Sequence, residues 1–86
     1  MDINELIAIV KKKIESQIVI EEINIEDKSF LHKNHSGNQK DKFHLKIIIK
    51  SNELSKLSRI DSNKKIYKAL EEELKSKIHS LQLLIS

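Results

Sequence analysis

The 86-residue chain (10.0 kDa) carries 16 Lys and Arg against 13 Asp and Glu, a formal charge of +3, with 38% hydrophobic and 34% charged residues. This length and balance predict one small water-facing domain over residues 1–86 with a thin core. Cysteine and proline are absent and glycine occurs once, at Gly37, which excludes disulfides, thiol nucleophiles, zinc fingers, an iron–sulfur cluster held by the chain's own thiolates, and glycine-rich phosphate loops.

No apolar run approaches the ~20 residues that span a bilayer. The start, Met-Asp-Ile-Asn-Glu, lacks the basic–apolar layout of a signal peptide, so a cytoplasmic location and no membrane partner are expected. Fifteen of the sixteen basic residues are Lys and only Arg59 is Arg. This uniform bias reads as composition rather than as phosphate recognition, where Arg gives bidentate contacts.

In chain order, Asp2-x-x-Glu5 opens a helix over about 3–15, with Ile3, Leu6, Ile7, Val10 and Ile14 on one apolar face. Lys11, Lys12 and Lys13 are expected near its C-terminal end, where cations suit the helix dipole. Over 21–27 the period changes to two, with Ile23 and Ile25 alternating with polar residues, the pattern of a half-buried strand. Residues 28–41 are polar and form a long loop of the kind that is often functional. Phe43, Leu45, Ile47 and Ile49 then face one way and His44, Lys46, Ile48 and Lys50 the other, so this is a second strand and the pair makes a hairpin.

Residues 51–60 read as a connector with a short helical turn. Asp61 or Ser62 is expected to cap a second long helix. Its buried stripe is Ile66, Ala69, Leu70 and Leu74, and Glu71–Lys75 and Glu73–Lys77 are i,i+4 pairs. His79, Leu81, Leu83 and Ile85 alternate with Ser80, Gln82 and Leu84 in a third strand. By parity His79 belongs to the helix-facing side. The resulting α+β class has the order α-β-β-α-β: a three-stranded mixed sheet, helices on one face, and a right-handed crossover into the last strand. The face with His44, Lys46, Ile48, Gln82 and Leu84 is left open or meets a partner.

This order, with its motifs, resembles the BolA family, whose fold is similar to the type II KH domain. Asp27-Lys28-Ser29 followed by His32 is similar to the family's Asp-Glu-Ser-x-x-His. Phe43-His44-Leu45-Lys46 resembles its Thr/Ser-His-Phe-Lys, and Ser51 the serine after that strand. Lys64-Lys65-Ile66-Tyr67-x-x-Leu70 with Glu72, Glu73 and Leu74 resembles the helix ending in Glu-Glu-Leu, and Ile78-His79-Ser80-Leu81 resembles Val-His-Ala-Leu. The likeness spans residues 20–85. It departs at Ser62, Asn63 and Lys64, where Arg-His-Arg is usual, at Lys28 for Glu, and at Leu45 for Phe.

The resemblance implies an adaptor in iron–sulfur cluster assembly, trafficking or iron regulation. Such a protein pairs with a monothiol Cys-Gly-Phe-Ser glutaredoxin, and the pair holds a bridging [2Fe–2S] cluster with glutathione. The isolated chain is then expected to bind no cofactor and to be a monomer or weak homodimer. Imidazole can replace thiolate on iron. The family match makes His79 the first metal ligand, His32 in the loop the second, and His35 a substitute three residues on. Each is also readable as an ordinary histidine, His79 hydrogen-bonded within the fold and the loop residues merely exposed. Metal-bound imidazole is neutral, so assembly should weaken in acid.

The alternative implied function is a DNA-binding transcriptional regulator acting through Arg59, Lys64, Lys65 and Lys68, residues that also suit a solvated helix face. RNA clamping of the KH type needs a Gly-x-x-Gly loop, which a single glycine cannot form. No enzyme is expected: Asp27, Ser29 and His32 are close in sequence without triad geometry, and no oxyanion-hole motif accompanies them.

Overall fold

The computed structural model describes residues 2–28 and 43–86. The elements are α1 (Ile3–Gln17), β1 (Glu22–Asp27), β2 (Phe43–Lys50), α2 (Asn52–Ser55), α3 (Arg59–Ala69), α4 (Glu71–Ser76) and β3 (Ile78–Ile85). The Asp2 carboxylate accepts from the Glu5 N–H at 2.8 Å and starts α1, so this cap was legible. The helix runs two residues past the expected end. Lys11–Lys13 therefore lie outside its last turn, which holds no basic residue, and the dipole role expected of them is corrected.

The three strands form one sheet in the order β1-β2-β3. β1 and β2 are antiparallel, pairing Glu22 with Lys50 through Asp27 with Leu45. β2 and β3 are parallel, pairing Leu45 with Leu81 through Ile49 with Ile85. Alternation assigns the faces, as the pattern predicts. Leu45, Ile47 and Ile49 are buried against Leu6, Val10 and Ile14 of α1, Leu54 of α2, Ile66 of α3, Leu70 and Ile78. The opposite face carries the rows Asn24–Ile48–Leu84 and Glu26–Lys46–Gln82. This is the expected mixed sheet with a single core. Each fully buried aliphatic side chain contributes about 1.5–3 kcal/mol by leaving water.

The second long helix differs from expectation in two ways. It begins earlier: Ser58, not Asp61 or Ser62, is the cap, and its hydroxyl accepts from the Asp61 N–H at 3.0 Å. Ser62 is instead buried, its hydroxyl donating back to the Arg59 carbonyl. It also breaks at Leu70, whose backbone (φ −105°, ψ 18°) leaves the α region while the side chain stays buried. Ile66, Ala69 and Leu70 fill the core as expected, and Leu74 is half-buried.

Glu71 and Lys75 pair loosely at 3.8 Å on the surface. Glu73 does not take Lys77. It is buried, and its Oε2 accepts from Lys13 Nζ at 2.6 Å, which ties α4 to α1.

Candidate functional site

The end of the ladder between β1 and β2 anchors the site. The Lys28 N–H donates to the His44 carbonyl at 2.7 Å, so the ladder between the first two strands holds to its end. Lys28 Nζ also pairs with Glu26 Oε1 at 3.0 Å. This hydrogen bond, with the nearby ammonium charge of Lys28, holds the Glu26 carboxyl below its usual range. His44 follows on the open face of β2, one strand in from either sheet edge.

Across from it the parallel ladder is irregular. Phe43 pairs with Ile78, but His44 pairs with Ser80, so His79 is an extra residue with no opposite number. Such a bulge re-aims side chains and resets the alternation. Ile78 is buried and Leu81, Leu83 and Ile85 are half-buried on the helix side, whereas His79 is exposed. His79 therefore does not share the helix-facing side that strand parity predicts for it. The bulge consumes one residue, and His79 lies beside His44 instead. Their ring centroids are 4.9 Å apart with planes at 62°, an edge-on contact. His44 Nδ1 lies 2.5 Å from the Ser80 hydroxyl oxygen, a hydrogen bond whose donor follows the imidazole tautomer.

Lys28, His44, Lys46, Ser80 and Gln82 line a shallow depression of ≈ 320 Å³ on the open face. Among the described residues, no group of three or more His, Asp or Glu gathers closely enough to hold a metal ion. His32 and His35, the expected loop ligands, lie outside the described residues, as does nearly all of the loop.

The basic residues proposed for nucleic acid are spread along α3. Lys64 and Lys68 are exposed one turn apart. Lys65 is engaged: its Nζ donates to Glu53 Oε2 at 2.9 Å. Glu53 also accepts from the Val19 N–H at 3.2 Å, and the Lys65 bond followed by this backbone donor holds its carboxyl below the usual range. Arg59 lines a separate recess of ≈ 520 Å³ with Leu57, Ser62, Asn63 and Leu84. The four positions thus divide between a recess, an ion pair and an open helix face.

Two features escaped sequence reading. The bulge at His79 has no glycine signal and is set by pairing with a strand more than 30 residues away. Ser80 looked like an ordinary outward residue and shows its role only through His44.

Comparison with known proteins agrees with this architecture. A protein-family model described as BolA-like protein matches residues 14–86. A relative from Haemophilus influenzae, named DNA-binding transcriptional regulator BolA, is 31% identical over 75 residues, covering 87% of this chain and 70% of the relative. Among solved structures, the BolA domain of SufE1 from Arabidopsis thaliana superposes with a TM-score of 0.78 at 26% identity, covering 100% of this chain and 93% of that one. BolA1 from the same plant gives a TM-score of 0.78 at 24% identity, with 92% and 87% covered. With a family model spanning all but the first turns of α1 and a relative at this level of identity, the chain belongs to the BolA-like protein family.

Proposed function

We propose that the chain is an adaptor that pairs with a monothiol Cys-Gly-Phe-Ser glutaredoxin and contributes imidazole to a [2Fe–2S] cluster shared with that partner and its glutathione. The observation that carries this reading is the exposed imidazole of His79, lifted out of the core face by the bulge where β3 begins. The donor chemistry fits. Imidazole is a competent iron ligand beside thiolate, and this chain has no cysteine. Among the described residues His79 stands in no larger ligand cluster, so the rest of the coordination shell would come from the partner's sulfur and from the loop carrying His32 and His35. The cluster, when bound, supplies the iron centre that joins the two proteins; His79 supplies a neutral donor at the joint.

Mixing the chain with such a glutaredoxin, iron, sulfide and glutathione tests this. The expected product is a heterodimer whose visible circular dichroism differs from that of the glutaredoxin homodimer. His79→Ala should return the spectrum to the homodimer form. A mixture that yields only glutaredoxin homodimer would overturn the reading.

A second reading rests on the name of the Haemophilus influenzae relative, a DNA-binding transcriptional regulator. Of the four positions expected for this role, Arg59, Lys64 and Lys68 are exposed to meet phosphates, and Lys65 would have to leave Glu53. Phosphate-driven binding falls steeply as salt rises. Duplex binding with that slope would favour the regulator, and no binding at low salt would remove it.

A further inference from the structure

We propose that His44, anchored by Ser80, is the positioning residue for His79: it fixes the orientation in which the His79 imidazole meets the shared cluster and is not itself a ligand. The inference deepens the adaptor reading and rests on it.

Two side-chain contacts link three neighbouring residues, His79 to His44 and His44 to Ser80. His79 is the bulged residue, so cross-strand pairing does not set its direction. Its ring is met edge-on by His44 at a centroid distance of 4.9 Å. His44 belongs to the central strand; it pairs with Ser80 of β3 and its carbonyl accepts from the Lys28 N–H, which holds its backbone from both sides. Its Nδ1 is committed to the Ser80 hydroxyl, and Ser80 is the residue after His79. The anchor and the ring it steers therefore share one strand. An oriented imidazole is what metal sites commonly require of their surroundings, where loss of an outer contact typically lowers metal affinity about 10- to 100-fold.

The test uses Ser80→Ala, Ser80→Thr, His44→Ala and His79→Ala. Side-chain NMR on the chain alone reads the ordering of the His79 ring, with the backbone spectrum of the sheet as a control for folding. Ser80→Ala and His44→Ala should release the ring into rotamer averaging, and Ser80→Thr, which keeps the hydroxyl, should preserve its order. In the heterodimer reconstituted with a Cys-Gly-Phe-Ser glutaredoxin, the two alanine variants should lose the cluster to a chelator about 10-fold faster than wild type, with Ser80→Thr near wild type. If His79→Ala alters the cluster spectrum while Ser80→Ala and His44→Ala change neither ring order nor cluster loss, the positioning role is overturned and the adaptor reading survives. If His79→Ala leaves the spectrum unchanged, both fall. A nitrogen coupling traced to His44 itself would make it a ligand and also overturn the inference.

Discussion

Ser51 shows how much one small side chain carries in this fold. It is buried, its hydroxyl donates to the Val19 carbonyl at 2.7 Å and accepts from the Leu54 N–H at 3.1 Å, and its own N–H donates to the Ser86 carbonyl. It thus caps α2 and ties the end of β2 to the approach to β1 and the end of β3. Ser51→Ala removes the cap of α2 and the donor to the Val19 carbonyl, which should cost about 0.5–2 kcal/mol in urea denaturation; an unchanged midpoint would refute that role. Glu53, two residues on, joins Val19 to Lys65. Its folded pKa lies below the ordinary 4.5 because of the Lys65 hydrogen bond and then the Val19 N–H. A depressed carboxylate contributes stability that is present above its unfolded pKa and is lost as the pH falls through the folded value. The midpoint difference between wild type and Glu53→Gln should therefore be largest near neutrality and close as the solution is acidified through the carboxylate range. A difference that widens in acid would contradict the assignment.

At the scale of elements, the central joints are the apolar layer and the α1–α4 contact. Leu70 is fully buried at the break between α3 and α4. Leu70→Ala should destabilise by about 2–5 kcal/mol, a large part of what a domain of this size possesses at ~0.05–0.15 kcal/mol per residue. Lys13 and Glu73 hold α1 to α4, and the bond to Glu73 raises the lysine pKa above its ordinary 10.5. The raised value means this contribution is present at neutral pH and is lost as the pH rises past the lysine range. Lys13→Met should lower the denaturation midpoint at neutral pH and narrow its gap to wild type in strong alkali. A gap that stays constant across that range would argue that the pair is inert.

These elements also show what the sequence reveals and where it stops. The period-two run from Phe43 to Lys50 and the 3.6-period of Leu6, Val10 and Ile14 report their own burial, because every residue in them obeys one local rule. Asp2 is a cap that a short-range pattern can find. The cap at Ser58 was missed because Ser58, Asp61 and Ser62 all satisfy the same local preference, and packing of Ser62 against the core decides among them. Glu73 read as half of a surface pair, since the i,i+4 rule knows nothing of Lys13 sixty residues away.

For the whole molecule, the helix-covered face is fully occupied by the core, and chemistry is left to the open face and its rim. The motifs placed His79 at the start of the last strand, where it lies, and the α-β-β-α-β order matches the fold. The direction of His79 was not legible, because a bulge in a parallel ladder depends on how two distant strands settle against each other. The same limit applies to the lysines of α3: their spacing is visible in sequence, while the capture of Lys65 by Glu53 is not. If DNA binding is present, Lys64→Ala with Lys68→Ala should weaken it at every sequence and flatten its salt dependence, since two phosphate contacts would be gone. Equal weakening at low and high salt would point away from phosphate contacts.

The most direct measurement is pulsed electron paramagnetic resonance on the reduced cluster of the reconstituted heterodimer, comparing wild type with His79→Ala. The nitrogen coupling from directly bound His79 imidazole should be present in the wild type and lost in the variant, with any coupling from His32 or His35 retained. A coupling of the same size and number in both proteins would show that His79 does not bind the iron.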